Sequence, residues 1–353
     1  MVEPHQASRA AVVLDADPLA PAVEFFTQTL GFAIERVYPA DDPREVTVVG
    51  FSTRLLLRRG RGEPGLVELV DPAATTASEE VAPGGHVVRR IPATSAVAVP
   101  ACRGELVATR AAGVWVHGRA GMQYRDLVPG RYGGRFIASH IRIVDGGPVP
   151  DWVHYHRVAG QAICCVRGWV RVVYEDQGPP LVMHEGDCVL QPPRIRHRVL
   201  ECSAGAEVVE ISAPAEHDTW ADFELTLPNE TVRRDREFDG QRFVHHVAGN
   251  AAWTPWRGEA LEGRRMTLRE ASGGVLEGWA LRPRPGIDGE VAWKTTAELS
   301  LLFVRHGAVE VVVDELDFRL EAADAIAIDA GRQCAMTVAA DGEALVFEAT
   351  IGQ

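Results

Sequence analysis

Three histidines stand at spacings that could do chemistry. His154 and His156 lie two apart in "WVHYHRVAGQAICCVRG" (152–168), and His197 ends "EGDCVLQPPRIRH" (185–197). Residues two apart in a strand share a face, so His154 and His156 point the same way. Gln161 follows five residues on, after a bend near Gly160. The 185–197 segment supplies a Gly-Asp turn, a strand, a Pro-Pro stop and then His197. Two neighbouring strands of a β-barrel would bring the three imidazoles to one point. Imidazole is the commonest side-chain ligand for Zn, Fe, Cu and Ni.

Strands must position these residues, and the surrounding sequence supplies them. From about residue 105 the chain reads as short strands with turns every 8–12 residues and little helical periodicity, an all-β pattern. The region repeats internally. "VWVHGRAGMQYRDLVPGRYGGRFIASHIRI" (114–143) resembles "AAWTPWRGEALEGRRMTLREASGGVLEGWALRP" (251–283), with Trp115 over Trp253 and Gly133-Gly134 over Gly273-Gly274. Downstream, "CCVRGWVRVVYED" matches "LFVRHGAVEVVVDE", with Gly168 over Gly307. An offset that stays near 138–140 residues implies two copies of one β domain, joined by the charged stretch 227–240. The offset places Trp293, Thr295, Ser300 and Cys334 where the first copy has His154, His156, Gln161 and His197. The second copy therefore has no ligand set and reads as a structural or substrate-shaping barrel.

The two histidine segments resemble the paired motifs of the cupin superfamily. In the first motif Gly147, His154, His156 and Gly168 fall at or near the family's places, and Gln161 stands where the family usually has Glu. In the second, Gly186, Pro192 and His197 match, and Arg194 replaces a Gly. The resemblance implies jelly-roll barrels with one divalent metal in the mouth of the first. His154, His156 and His197 would be its ligands and Gln161 a weak fourth. A neutral amide in place of a carboxylate leaves the ion's full charge for an oxygen-chelating substrate. Fe(II) with open positions suits dioxygenase chemistry on an enolic, diketone or phenolic compound, with no separate acid or base. Zn, Mn or Ni would instead suit oxygen-independent isomerisation or hydrolysis, and a non-catalytic small-molecule binder is the third reading.

Other residues are weighed against the same barrel. Cys165 shares the face of Gln161 by alternation and either lines the pocket or packs as a small hydrophobe. Gln191 sits near the metal end of its strand as a pocket candidate. Arg142, on one face with His140, either meets a substrate carboxylate or is solvated. His86, His245 and His246 read as exposed.

Residues 9–70 read as an α/β module: "RAAVVLDA", a helix capped by Asp17 with Pro18 first and Gly31 as its stop, then four short strands ending in "GLVELVD". With "FFTQTLGF" this resembles half of a glyoxalase-like (vicinal-oxygen-chelate) domain. Its first strand has no His and its last offers only Glu68, so no metal is expected there. Such a half-module needs a partner, and a homodimer is expected.

The fold class expected is mainly β: a βαβββ module (1–72), a connector with little regular structure (73–104), a metal-binding barrel (105–226) and a degenerate barrel (227–353). The 353 residues suit several domains. A net charge of -13 without basic blocks excludes nucleic acid and anionic lipid as electrostatic partners. No apolar run approaches a membrane span, the start shows no leader pattern, and six Cys lack a CxxC or a disulfide framework. A cytoplasmic, reducing location is the expectation.

Overall fold

The structure is a computed structural model that describes residues 10–93 and 97–352. The leader reading at residues 1–9 lies outside the described residues. The chain divides into two units, 1–96 and 97–353. It is mainly β, with 48% strand and 6% helix. No helix among the described residues is long and apolar enough to cross a membrane.

In the first unit, strands Val12–Ala16, Thr53–Arg59, Glu45–Gly50 and Ala33–Tyr38 form a sheet in that spatial order, the first two parallel. The helix runs Leu19–Glu24 and continues as a π-helical turn, Phe25–Thr29. It buries Leu19, Ala22 and Phe26 against Leu55, Leu57 and Val48. Asp17 does not cap it. Pro18 is the N-cap residue, and the Asp17 carboxylate accepts from Arg61 instead. Glu68 is not in this sheet. Its strand, Leu66–Asp71, pairs in parallel with Val87–Pro92, which pairs with Ser78–Val81. The stretch read as a connector thus holds two strands, because its "SEEV" and "VVRRIP" segments find partners that its small-residue composition conceals. His86 is buried, not exposed: Nδ1 accepts from the Gly65 N–H and Nε2 donates to Asp15 O.

The second unit holds two jelly-roll barrels. In the first, a sheet built on Gly160–Arg167, Ala206–Ala213 and Ile137–Ile143 faces one built on Trp169–Tyr174, His197–Cys202 and His154–His156. In the second, Leu276–Pro283, Glu343–Ala349 and Leu299–His306 face Val291–Lys294, Gln333–Val338 and Ala308–Val313. The duplication shows in backbone detail. Gly133-Gly134 and Gly273-Gly274 all take positive φ, as do Gly168 and Gly307 at their hairpins; a Cβ there would enter a strained conformation.

The barrels exchange edge strands. Val107–Thr109 pairs with Ala325–Asp329 of the second barrel, and Val244–His246 pairs with Cys188–Leu190 of the first. The boundaries expected at 105 and 227 therefore do not separate the sheets. Each barrel closes its sheet edge with chain that precedes the other, which removes an open ladder. His246 is buried and His245 half-buried for this reason, against the surface expectation. The larger sheets of the two barrels pack face to face. Ala162, Cys164, Val209 and Ile211 meet Leu299, Leu301, Phe303 and Phe347 in one core.

Candidate metal centre

His154 and His197 are direct cross-strand partners, which places their side chains side by side on one face of the sheet. His156 lies two residues along on the same face. The possible ligand atoms of the three all lie within 4.8 Å of one another. His154 and His197 are buried and His156 half-buried.

Each ring is held from behind. His154 Nδ1 donates to Trp152 O (2.7 Å), His197 Nδ1 donates to Ile195 O (3.0 Å), and His156 Nδ1 meets Thr219 Oγ1 (2.9 Å). A bond at Nδ1 sets the tautomer and leaves the Nε2 lone pair for the common point. Two donors address those lone pairs here: Arg119 Nη2 on His154 Nε2 (2.7 Å) and Gln191 Nε2 on His197 Nε2 (3.1 Å). Three imidazoles, two with their tautomers set by backbone carbonyls, fit a divalent metal ion. Burial, above all, pushes all three imidazoles below the ordinary histidine range; Arg119 and the mutual repulsion of the rings add to it, while Asp151 and Glu210 partly oppose it at His154.

That depression has a stability consequence. The unfolded chain takes protons near pH 6.5 that the folded site refuses. Stability is full above that value and is lost as pH falls through it toward the lower folded values. In calorimetry, the metal-free protein should show its transition temperature dropping between about pH 7 and pH 5, and a bound ion should offset the drop.

Sequence reasoning missed Arg119 and Asp151. The Asp151 side chain is fully buried and accepts from Arg119 Nη1 (2.5 Å) and the Val199 N–H (3.0 Å), with His154 Nδ1 at 3.6 Å. Neither residue lies in a metal-motif position, so no spacing marked them. Asp151→Ala removes the brace behind His154 and leaves a cation unpaired. Metal affinity is expected to fall roughly 10–100-fold, the usual effect of losing an outer hydrogen bond, as a titration with a competing chelator would show.

Gln161 is buried and bonded at both ends of its amide. Its amide oxygen accepts from Gln191 Nε2 (2.8 Å) and its nitrogen donates to Glu210 Oε1 (2.8 Å). Both ends of the amide are engaged by other side chains. Glu210 was not anticipated at all. It is on Ala206–Ala213, with Ile163 as its cross-strand partner, and it faces the barrel interior. Alternation along that strand could have shown it, since Ala206 and Val208 share its face.

Below the histidines is a cavity of about 80 Å³. Its walls are largely apolar, among them Met122, Ile141, Ile163, Val172, Met183 and Val199. Arg119, Tyr124, Tyr174, Gln191 and Glu210 supply polarity together with His156 and His197. Gln191 lines this cavity, with Tyr174 Oη donating to its oxygen (3.0 Å). Burial pushes the Tyr124 phenol up to about 12. Cys165 is fully buried in the apolar core of this barrel with Val170 and Val189, and lies outside the cavity wall. Arg142 does not line the cavity. It points to the opposite face, donates to Gln123 Oε1 (2.7 Å) and stacks on Trp115 at 4.0 Å, because Ile141 and Ile143 take the inward positions. His140 on that outer face is buried rather than solvated, bonded to Glu207 and Arg125.

No protein-family model and no curated protein matches the chain. Solved structures do. The chain is similar to the E. coli protein Ylba (TM-score 0.51, 12% identity, 71% of this chain and 93% of that one). It is similar to salicylate 1,2-dioxygenase from Pseudaminobacter salicylatoxidans (0.53, 14%, 71% and 86%). A mutant of the Bacillus subtilis oxalate decarboxylase OxdC is also similar (0.52, 12%, 71% and 79%). The fold is that of a two-barrel cupin. In cupin terms, Trp293 and Cys334 of the second barrel are direct cross-strand partners, as His154 and His197 are in the first. The position of the ligand pair is kept and its chemistry is gone. Trp293 packs edge-on to Trp256 at 5.5 Å, beside the second cupin barrel's core, so apolar side chains crowd the place of the first barrel's imidazoles.

Proposed function

We propose that the first barrel binds one divalent metal ion through His154, His156 and His197, and that the protein is a metal-dependent cupin oxidoreductase. The reading is of a dioxygenase acting on a small enolic, diketone or phenolic compound. The supporting observation is the convergence of three imidazoles with fixed Nδ1 bonds at the head of an apolar cavity. When bound, the ion supplies Lewis acidity and exchangeable positions for oxygen ligands. The chain supplies the rest. Its apolar walls take the substrate's carbon frame and exclude water. Arg119 places a guanidinium beside His154, where an anionic substrate group can meet it. Gln191 and Tyr174 form a polar edge next to His197.

Fe(II) is the first choice of metal, with Zn, Mn or Ni as the alternatives. Oxygen uptake by iron-loaded protein with a panel of β-diketones, enols and phenols tests the reading. Uptake with at least one of them, absent in His154→Ala, is expected. Turnover without oxygen consumption would move the assignment to an isomerase or hydrolase.

The first unit is proposed as a glyoxalase-like half-module. Its sheet order, with the strands that come first and last in the chain paired in parallel, supports this. Ala33–Tyr38 is exposed along its whole length, with Ile34, Val37 and Tyr38 uncovered. That edge supports the homodimer proposal. Free, mostly buried cysteines agree with a proposed cytoplasmic location.

A further inference from the structure

We propose that Glu210 is the proton acceptor of the first barrel, and that the substrate is a small chelator that arrives with a hydroxyl proton to give up. This rests on the metal-site reading above and names the substrate class it serves.

Glu210 is the one carboxylate lining the cavity among the described residues. Its Oε1 accepts from Gln161 Nε2 (2.8 Å) and from Ser212 Oγ (3.0 Å). These two bonds, from its own strand and the neighbouring one, fix the plane of the carboxylate. Its Oε2 accepts from no described residue. A carboxylate tethered by one oxygen, on a residue that lines an apolar cavity, has the other oxygen available to take a proton from a bound molecule.

The remaining ionisable groups facing the cavity do not compete for that role. Tyr124 and Tyr174 are held as neutral phenols by burial, and the Glu210 charge pushes them the same way. Arg119 is a cation committed to Asp151 and His154. His156 and His197 have their Nδ1 atoms bonded. Gln161, at the position where a cupin usually has Glu, cannot accept a proton at neutral pH. The carboxylate has moved to the adjacent strand, and the amide left behind now orients it.

In the step, the substrate O–H bond breaks and its electron pair stays on the substrate oxygen. The proton bonds to Glu210 Oε2, and the carboxylate becomes a carboxylic acid. No oxidant is needed. The negative charge passes from Glu210 to the substrate oxygen. A phenol, catechol or enol can make this exchange. A fully ionised dicarboxylate has no proton to give and meets a like charge, so it is disfavoured.

The test uses zinc-loaded full-length protein, which has no redox turnover, and 4-nitrocatechol as the probe. Visible absorption reads the protons the bound probe has lost. Calorimetry in buffers of different ionisation heats reads the protons that reach solvent. Wild type should release about one proton fewer than the probe loses, and Glu210→Gln should release them all, so that its affinity rises about tenfold more per pH unit. Glu210→Asp should restore the deficit, and all three proteins should carry the same zinc. If Glu210→Gln fails to fold, wild type alone still decides: with as many protons released to solvent as absorption shows the probe to have lost, the proposal fails. Equal release by wild type and Glu210→Gln overturns the role of Glu210 and leaves the metal site standing. A wild-type protein that takes up no zinc overturns both.

Discussion

Wild-type protein purified without oxygen is expected to carry about one metal ion per chain, and His154→Ala, alone or with His156→Ala, to carry almost none. Three nitrogens from two short strand ends make the whole donor set. His154 is its centre, paired directly with His197 and two residues from His156. Removing it leaves two imidazoles and frees Arg119 to swing its charge into the site. The loss in affinity should exceed the roughly 10–100-fold that follows loss of an outer hydrogen bond. Elemental analysis gives the stoichiometry directly. Thermal unfolding gives a second readout, since an ion at about a thousand times its Kd stabilises by ~4 kcal/mol. Metal should therefore raise the wild-type transition and leave that of the variant where it was. Equal metal in both proteins would move the centre elsewhere.

Arg135→Ala is expected to give the largest loss of stability among single changes away from the site. Arg135 is buried and makes a bidentate pair with Glu298, both bonds 2.9 Å. It also donates to Pro100 O (2.8 Å) and Ile351 O (2.5 Å). One guanidinium thus ties together the segment before the first barrel, both barrels and the last strand's exit. Breaking a buried pair by removing one partner typically destabilises by about 3–5 kcal/mol, and because the Glu298 side chain keeps 26% of its surface in solvent the lower end of that range is expected. For a unit of this size that is a fall on the order of 10 °C in the transition of the cupin unit. Arg135→Lys should recover only part, since an ammonium cannot make the forked contact. Arg319, exposed on the far strand beside Glu310, is the contrast: Arg319→Ala should leave the transition unmoved. An Arg135→Ala protein that melts with wild type would mean the barrels do not depend on this tie.

Much of this was legible in the chain. Period-2 alternation placed His154 and His156 on one face, and turn residues bounded the strands. The repeat offset named Trp293 and Cys334 as counterparts of His154 and His197, and the structure pairs each couple directly. These are local or periodic signals, and backbone geometry converts them to positions without reference to anything distant. The cupin architecture was legible by another route, the resemblance of the two histidine segments to that family's motifs.

What escaped the sequence depends on contacts between distant segments. The exchange of Val107–Thr109 and Val244–His246 between barrels is one case, because a three-residue strand carries no mark of which sheet edge it will close. Arg142 and His140 are another: which face of their strand turns inward was decided by Ile141 and Ile143 packing into the barrel. Asp151, Arg119 and Glu210 are the last and most telling. Each is an ordinary charged residue in its own segment, and each acquires its role only when folding sets it against His154 or Gln161. The sequence by itself determined the barrels, their duplication and the three imidazoles. Only the tertiary structure decided what stands around them, since hydrogen-bond partners and the low-dielectric setting that gives them force exist only after distant strands have been brought together.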